Sequence, residues 1–410
     1  MFDFIIAQQN GRVIPKEDKI FALNGRAKKK IEEEGKGSVI NATIGALLDD
    51  EGNLVVLKSV GEGLKRLTLE DYAEYAPIAG TPGFKAAVEK AAFGEFKTNR
   101  FVKTVYTPGG TGAIRNTIAN YSKIGDKVLT SDWYWGPYST ICQEISRNID
   151  TYELFDGEGK FNIEAFANKV NELALGQGQL VILLNTPAHN PTGYSLTDKD
   201  WDGVIGVLND EKLKDTKIAL LVDTAYVDFA GDPEEYRSFL PKLEDLNENI
   251  LPIIAYSASK TYTLYGMRCG AMICMAKTEA IADEFQSVCE FSCRGSWSNG
   301  VRAAQALIEI IHDDEELCKS VDHERELYRD MLLERGRAFE EELKKQGVEG
   351  VPFDAGFFAC VACDDPDEIS KKLEAKGIFA VPLAKGIRVS VASISKEACV
   401  KVAKAIKEVL

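Results

Sequence analysis

The sequence lacks the features of membrane-spanning and exported proteins. No apolar run in its 410 residues approaches the roughly 20 residues that a membrane-spanning helix needs. The segment from Met1 to Ala7 has no basic stretch, and its apolar run is too short for a signal peptide. We therefore expect a cytoplasmic protein that does not act at a membrane.

Positive charge and histidine are both scarce. Lysine and arginine together number 49, against 64 aspartates and glutamates, so the formal net charge is −15. This balance argues against nucleic acids and anionic membranes as partners, because both require a basic face. The three histidines, His189, His312 and His323, are scattered, and we expect no metal site from them.

Cysteine is present without the regular spacing of a disulfide framework. The nine cysteines are odd in number, which is typical of reduced thiols in a cytosolic protein. Cys360 and Cys363 have CxxC spacing but stand alone within an apolar run. We expect them to be core or strand residues; a redox or metal role is the alternative.

The length and the hydrophobic pattern predict an α/β protein of two domains. A chain of 410 residues is too long for one small core. Apolar strands alternate with helical patterns from about residue 50 to residue 310, which predicts a parallel or mixed sheet with helices on both faces. Residues 1 to about 20 predict an arm, and a charged helix is expected from about Lys16 to Glu34.

The stretch from Tyr256 to Gly270 holds a single lysine, Lys260, between two apolar runs that predict buried strands. An isolated lysine is usually a solvated surface amine. In a pocket, however, desolvation lowers its pKa and allows it to condense with an aldehyde as a Schiff base. Ser257 and Arg268 are suitable phosphate donors, and these neighbours favour the pocket.

Three other polar stretches follow predicted strands. A glycine-rich turn that includes Gly110 and Thr111 opens a helix, whose free N–H groups and dipole favour a bound phosphate. Trp135 follows the next strand, where an aromatic ring can stack on a flat heteroaromatic ring. Asp223 ends the apolar run Ile218 to Val222, either as a helix cap or as the partner of a buried cation.

Taken in order, these motifs resemble those of the class I aminotransferases that depend on pyridoxal phosphate (PLP), in particular the aspartate and aromatic aminotransferases. The resemblance covers nearly the whole chain and rests on a set of seven residues: Trp135, Asn190, Asp223, Tyr226, Lys260, Arg268 and Arg388. It implies the aspartate aminotransferase fold. Residues 50–310 would form a large PLP-binding domain with a mostly parallel sheet between helices, and residues 1–49 and 311–410 a smaller α+β domain.

The resemblance also implies how the cofactor is held. Lys260 would carry PLP as a Schiff base and then act as general acid and base. Asp223 would keep the pyridine nitrogen protonated, Asn190 and Tyr226 would contact the ring oxygen, and Trp135 would stack on the ring. The phosphate would be bound by the remaining cofactor residues: Gly110, Thr111, Ser257, Arg268 and, from the partner subunit of a homodimer, Tyr75.

A second group of residues is implied for the substrate. Arg388 would bind the α-carboxylate, since its planar fork suits a carboxylate, and Phe358 would line the same pocket. Gly45 matches a glycine that lets backbone approach this carboxylate; a plain turn glycine is the alternative. Arg294 aligns with an arginine that pairs with a side-chain carboxylate in the neighbouring subunit; a surface salt bridge is the alternative. Trp135 and Asn190 would also contact the substrate.

The sequence departs from the family pattern in two places. Tyr138 stands where the family often has a histidine, so the surroundings of the cofactor nitrogen are expected to differ. Prolines near Arg294 are missing from the loop predicted over Phe291 to Gly300. His189, beside the Asn190 motif, is expected to be a packed neighbour of the site.

The activity implied is transfer of an amino group from aspartate, glutamate or an aromatic amino acid to a 2-oxo acid such as 2-oxoglutarate. A PLP-dependent lyase or decarboxylase would share every cofactor residue and is the alternative. A transcription regulator would carry a basic helix-turn-helix segment before the fold, and the arm here is too short. A catalytically dead relative would have lost Lys260 or Asp223, and both are present.

Overall fold

A computed structural model describes residues 4–15 and 17–410. Lys16, the predicted start of the first helix, and residues 1–3 of the predicted arm lie outside the described residues. The helices are α1 (Lys19–Glu34), α2 (Lys58–Leu64), α3 (Leu69–Ala73), α4 (Pro82–Phe93), α5 (Gly109–Tyr121), α6 (Pro137–Glu144), α7 (Ile163–Gln177), α8 (Asp198–Leu208), α9 (Phe239–Leu243), α10 (Ala258–Thr261), α11 (Glu279–Ser296), α12 (Arg302–Asp313), α13 (Glu315–Lys345), α14 (Pro366–Ala375) and α15 (Lys396–Val409).

The strands follow the apolar runs of the sequence. They are β1 (Ile40–Ala42), β2 (Phe101–Thr107), β3 (Lys127–Ser131), β4 (Asn148–Tyr152), β5 (Gln179–Asn185), β6 (Lys217–Asp223), β7 (Ile250–Ser257), β8 (Gly270–Ala276), β9 (Phe358–Ala362), β10 (Ile378–Pro382) and β11 (Gly386–Ser390). The buried strands predicted within β6, β7 and β8 are confirmed.

The chain forms two compact units. The larger contains Val56–Thr186 and Leu196–Arg325; the smaller contains Met1–Val55, Pro187–Ser195 and Glu326–Leu410. These units differ from the predicted domain division at three places: the smaller unit extends to Val55 and takes in Pro187–Ser195, and the larger one extends past residue 310 to Arg325. The division into domains of separate function stays a prediction.

The larger unit is built on a seven-stranded mixed sheet of order β2-β8-β7-β6-β5-β3-β4. β8 runs antiparallel to both of its neighbours, and the other pairs are parallel. Apolar side chains of the central strands pack with residues of α5 and α11 in one core, including Ile114, Leu221, Ile253 and Phe285. Strands buried on both faces need continuous apolar runs, which explains why the sequence predicts them well.

The smaller unit is an α+β structure around a four-stranded sheet of order β1-β10-β11-β9. β1 and β10 are parallel, and the other two pairs are antiparallel. Its core joins strand residues such as Val389 to helix residues such as Phe339, Leu343, Val402 and Ile406. The predicted mostly parallel sheet with a smaller α+β part is confirmed.

One predicted segment near residue 300 is wrong. The loop expected over Phe291 to Gly300 begins only after Ser296, because Phe285, Cys289 and Cys293 bury one face at helical spacing and carry α11 through its polar end. Helices α12 and α13 are separated at Asp314, an extended residue whose carboxylate accepts the Leu317 N–H at 3.0 Å.

No helix within residues 4–15 and 17–410 is long and apolar enough to cross a membrane. All nine cysteines lie in these ranges and are free thiols; Cys360 is buried on β9, as expected for a strand residue. The described residues contain no group of three or more His, Cys, Asp or Glu side chains that could hold a metal ion.

Candidate functional site

Strand register places five functional stretches at one edge of the larger sheet. Asn185 at the end of β5 pairs with Asp223 at the end of β6, which pairs with Ala255 near the end of β7. Gly270 at the start of β8 pairs both with Ser257 on β7 and with Thr107 at the end of β2. The carboxyl ends of β2, β5, β6 and β7 therefore meet beside the amino end of β8, and this edge is where open α/β sheets bind ligands.

Lys260 lies on the short helix α10 directly after β7, with its side chain partly buried. Its Nζ lies 5.3 Å from the centroid of the Tyr226 ring. Burial lowers the pKa of Lys260 to about 8; the charge of Asp223 opposes this shift and that of Arg268 adds to it. A large fraction of this amine is therefore neutral, and hence nucleophilic, at mildly alkaline pH.

Asp223 is a buried carboxylate with neutral hydrogen-bond partners. It is 4% exposed; its Oδ2 accepts the Tyr138 hydroxyl at 2.7 Å and its Oδ1 accepts the Ala225 N–H at 3.2 Å. No lysine, arginine or histidine of the described residues forms an ion pair with it. Burial raises its pKa, although Tyr138, Ala225 and the charge of Lys260 act in the opposite direction.

Two aromatic side chains stand beside these groups. Tyr226 is 5% exposed and follows Asp223 on the same loop. The Trp135 ring meets the Tyr138 ring edge to face, with centroids 5.5 Å apart. Trp133 is 5% exposed and belongs to the packed interior.

An anion pocket is formed by the start of α5 and the segment around Lys260; its residues are Gly110, Thr111, Ser257, Ser259 and Arg268. The Arg268 guanidinium donates to Ser259 Oγ at 3.2 Å and to the Pro108 carbonyl at 3.4 Å. A Cβ added to Gly110 would lie 3.4 Å from the Ser257 Cβ. The exposed Thr111 and the free N–H groups of α5 complete a site suited to a phosphate.

Backbone shape fixes this pocket. Gly109 has a φ of 72°, which L side chains rarely adopt, and Arg268 itself has a φ of 51°. The Tyr106 hydroxyl donates to the Arg268 carbonyl at 2.8 Å and helps to hold that conformation. A Cβ on Gly270 would lie 2.5 Å from the Tyr256 carbonyl oxygen and 2.7 Å from the Gly109 carbonyl carbon, so only glycine fits there.

Sequence reasoning missed two residues of this region. Ser257 is predicted as a phosphate donor and Ser259 is not, although Ser259 stands next to Lys260 and contacts Arg268. Tyr138 was noted as a departure, but nothing local to it predicts a contact with Asp223, which is distant in the sequence. A buried strand-end carboxylate needing a donor is the one signal that could have prompted a search for it.

Tyr75 and Arg294 lie away from the buried groups and are exposed, Tyr75 at 85%. Arg294 stands in the last turn of α11, and its guanidinium donates to Ser298 Oγ at 2.6 Å. The Asn299 side chain donates to the Ala76 carbonyl at 2.8 Å, so the two segments are tied together. The described contacts of this chain do not bring either residue to Lys260.

The smaller unit holds the other candidate residues. Arg388 on β11 is 5% exposed; it donates to the Thr43 carbonyl at 2.9 Å and to the Asn190 side-chain oxygen at 3.5 Å. Its guanidinium carbon lies 4.3 Å from the centroid of the Phe358 ring. A Cβ on Gly45 would lie 2.5 Å from that ring, so glycine leaves room for Phe358.

His189 is part of the turn that carries Asn190. It is buried, and its Nδ1 lies 2.8 Å from Thr192 Oγ1. This contact agrees with the packed position expected for it. The turn belongs to the same compact unit as Arg388, so the structure joins Asn190, Arg388 and Thr43 by direct contacts.

These geometries can be set beside known proteins. The family model "Aminotransferase class I and II" matches residues 37–406. An aminotransferase of known crystal structure from Anaerococcus prevotii is 36% identical, with a TM-score of 0.96 and 99% of each chain covered.

Two curated relatives are more distant. The aromatic-amino-acid aminotransferase of Paracoccus denitrificans is 26% identical over 96% of this chain and 97% of its own length. The cytoplasmic aspartate aminotransferase of Dictyostelium discoideum is 29% identical over 68% of this chain, and the match spans 63% of that enzyme. The matched family covers nearly the whole chain and confirms the resemblance drawn from the motifs. This protein therefore belongs to the class I and II aminotransferases, a family of PLP-dependent transaminases.

Proposed function

We propose that this protein transfers an amino group between an L-amino acid, either a dicarboxylic or an aromatic one, and a 2-oxo acid such as 2-oxoglutarate. The observation that carries the proposal is the pairing of a lysine of lowered pKa with a buried carboxylate that forms no ion pair with any described lysine, arginine or histidine. The first is a nucleophilic amine, and the second a negative charge awaiting a cationic ligand. Both suit PLP, whose aldehyde needs the amine and whose ring nitrogen needs the carboxylate.

The remaining residues of the larger unit fit the rest of the cofactor. Arg268, Ser257, Ser259, Thr111 and the Gly110 amide would hold its phosphate, because they combine a permanent cation, hydroxyl donors and a helix N-terminus. Trp135 would stack on the ring. Tyr226 would donate to the ring oxygen, a role also proposed for Asn190.

When bound, PLP supplies an electron sink that stabilises negative charge at the substrate Cα. Lys260 would perform the proton transfer: its neutral Nζ would take the Cα proton as general base and, as general acid, deliver it to the C4′ atom of the cofactor. Asp223 supplies the fixed negative charge that keeps the sink effective. Its burial strengthens this electrostatic effect, because the local dielectric is low.

Arg388 would orient the substrate through its α-carboxylate. It is already fixed by Thr43 and Asn190, and Phe358 supports one face of its fork. A substrate gripped at its carboxylate can present its Cα–H bond in one orientation, which favours proton removal over loss of the carboxylate. Gly45 would let backbone approach the same carboxylate.

The test of the proposed chemistry uses Lys260→Ala. The purified protein should show the visible absorbance of lysine-bound PLP and should convert amino acid to oxo acid. We expect Lys260→Ala to lose that absorbance and to lower turnover by about 10²- to 10⁴-fold, the contribution of a general acid–base group. Lys277→Ala, which alters an exposed lysine after β8, is the matched control. Unchanged absorbance and turnover in Lys260→Ala would refute the proposal.

Arg294 and Tyr75 are proposed to act in the active site of the partner subunit of a homodimer. Both are exposed in the single chain and are tied together through Asn299 and Ala76, as expected for segments presented to another subunit. Arg294 would pair there with a side-chain carboxylate, and Tyr75 would reach the cofactor phosphate.

Coexpression of two variants tests the shared site. If Arg294 acts in the partner's site, a mixture of Lys260→Ala and Arg294→Ala chains should form hybrid dimers with one intact site. Random pairing would then recover about a quarter of wild-type turnover of aspartate. Recovery no higher than that of the Arg294→Ala homodimer in the same amount would show that Arg294 acts within its own chain.

The preference among substrates is tested by the same Arg294→Ala variant. A charged hydrogen bond contributes about 1.5–3 kcal/mol, so kcat/KM for aspartate should fall by about 10- to 150-fold. The value for phenylalanine, which has no side-chain carboxylate, should change little and serves as the internal control. An equal fall for both would leave Arg294 without a role in recognising dicarboxylates.

We also propose a cytoplasmic location, which the nine free thiols support because oxidising compartments favour disulfides. In this proposal the larger unit is the PLP-binding domain, and the smaller unit contributes the residues that bind the substrate carboxylate.

A further inference from the structure

Tyr138 contacts two candidate cofactor residues at once. It lies in the first turn of α6 and is fully buried. Its hydroxyl donates to Asp223 Oδ2 at 2.7 Å, and its ring meets Trp135 edge to face at 5.5 Å and an interplanar angle of 89°. One side chain therefore links the carboxylate to the proposed stacking ring.

The chemistry of this contact is fixed in one direction. Burial, together with the neighbouring charge of Asp223, raises the pKa of Tyr138 well above its usual value. The phenol consequently remains protonated wherever the enzyme works, and its single proton is donated to Asp223. A phenol is also unable to take a second proton, so Asp223 has a neutral donor at every such pH.

Asp223 depends on this donor. Burial disfavours the charged carboxylate, and of its hydrogen-bonding neighbours Tyr138 is the closer, at 2.7 Å against 3.2 Å for the Ala225 N–H. The Ala225 donor belongs to the backbone and survives any substitution. Removal of the phenol would therefore take away the hydrogen bond that lowers the pKa of Asp223 most. The Ala225 N–H and the Asn185 side chain would remain, and the carboxylate would be freer to rotate or to bind a proton.

We propose that Tyr138 is a positioning residue: its hydroxyl holds the Asp223 carboxylate charged and oriented to pair with a protonated ring nitrogen of the cofactor. This inference rests on the proposed function, because it needs Asp223 to act on that nitrogen. It assigns to Tyr138 no contact with substrate or cofactor. A role in packing alone is the competing explanation, since the ring fills a core position between α6 and β6.

The test measures cofactor affinity in the cofactor-free protein with two probes. One probe is PLP, and the other is the analogue in which carbon replaces the ring nitrogen. Tyr138→Phe keeps the buried ring and removes only the hydroxyl. We expect it to raise the Kd for PLP by about 10- to 100-fold, the effect of losing a hydrogen bond to a charged group, and to change the Kd for the analogue by less than about twofold.

Each outcome decides one question. An equal loss of affinity for both probes would show that Tyr138 only packs, and unchanged affinity for PLP would show that Asp223 does not need it. Wild-type protein that binds both probes equally would instead overturn the role proposed for Asp223 itself.

Tyr138→His provides the rescue. A neutral imidazole N–H can donate to the same carboxylate but is able to titrate, with an ordinary pKa near 6.5. Compared with Tyr138→Phe, this variant should regain part of the preference for PLP over the analogue. That preference should vary with pH between about 5 and 8, because the imidazole titrates there. In the wild type Tyr138 stays protonated over this range and adds no such variation. Tyr138→His with no regained preference, and no added pH dependence, would contradict the proposal.

Discussion

Two buried carboxylates follow strand β6, and their surroundings are opposite. Asp223, 4% exposed, has only neutral donors in direct contact. Asp228, whose side chain is 9% exposed, contacts Arg237 at 2.7 Å, Arg325 at 3.5 Å and the Thr261 hydroxyl at 2.6 Å. Burial alone would raise the pKa of either group. At Asp228 the arginines and Thr261 outweigh burial and lower the pKa, whereas at Asp223 burial prevails.

The contrast separates a structural charge from a functional one. Asp228 is neutralised by the protein itself and, through Thr261, fixes the end of α10, the helix that carries Lys260. Asp223 lacks such a cation and stays costly to bury until a ligand supplies one. In the proposed function, the same residue type therefore anchors the fold at Asp228 and pairs with the cofactor at Asp223.

Asp228→Asn should lower the free energy of unfolding more than the other variants considered. It would leave Arg237, 5% exposed, without its carboxylate and would leave Arg325 with Asp322 alone. Breaking a buried ion pair by removing one partner costs about 3–5 kcal/mol, and we expect that loss in the free energy of unfolding measured with urea. The control is Asp202→Asn, which removes an exposed partner of Lys242 and should cost less than about 1 kcal/mol. Equal losses in the two variants would mean that Asp228 is not a structural charge.

Asp223→Asn, unlike Asp228→Asn, should lower activity strongly and change the free energy of unfolding little. Activity should fall by about 10²- to 10³-fold, equivalent to about 2.7–4 kcal/mol, because a preorganised electrostatic contact is lost. The unfolding free energy of the cofactor-free protein at pH 7 should change by less than about 1 kcal/mol, since a neutral amide avoids the burial of a charge. Kinetic assays and urea unfolding of the same preparation would show both. A strongly destabilised Asp223→Asn protein would remove the distinction from Asp228.

Thr261→Val tests how much one hydrogen bond to Asp228 contributes to stability. It removes the hydroxyl that Asp228 accepts while keeping the side chain's shape, and a hydrogen bond to a charged group is worth about 1.5–3 kcal/mol. We expect a destabilisation of that size by urea unfolding. Because Lys260 adjoins Thr261, PLP affinity should fall as well. Thr263→Val, which loses a bond to the neutral Leu57 N–H, should cost less.

The smallest expected effect is a shift in the titration of Lys260. Its pKa is about 8, and the charge of Asp223 raises it. The neutral amine fraction, and hence the labelling rate of cofactor-free protein by trinitrobenzenesulfonate, should rise with pH through about 8. In Asp223→Asn the midpoint should move to lower pH, because the stabilising negative charge is gone. Peptide mass spectrometry would report it, with Lys277 as the labelling control. A midpoint that moved upward would contradict the assigned coupling.

The strands and the residues at their ends were accessible to sequence reasoning. β6 and β7 are continuous apolar runs, so the hydrophobic pattern predicts where they end. It therefore also predicts that Asp223 and Lys260 lie at strand ends. The ordered motifs then supplied the family. The end of α11 was not accessible, because Ser292, Gly295 and Ser296 suggest a loop until the buried face of Cys289 and Cys293 is known.

Contacts between distant segments explain the rest of what was missed. Tyr138 reaches Asp223 across two crossovers, and Arg237 and Arg325 reach Asp228 from separate elements. Nothing in the local pattern of these residues distinguishes them from surface or core neighbours. Their pairing depends on strand order and on helix packing, which one sequence leaves open.

The fit of Gly270 against the Tyr256 and Gly109 main chain has a consequence for enzyme engineering. Gly270 packs against peptide backbone, so libraries that randomise the surrounding side chains will leave this contact unchanged. Recruiting a coenzyme with a bulkier or smaller anionic tail would instead require a redrawn loop, with insertions or deletions between β2 and α5.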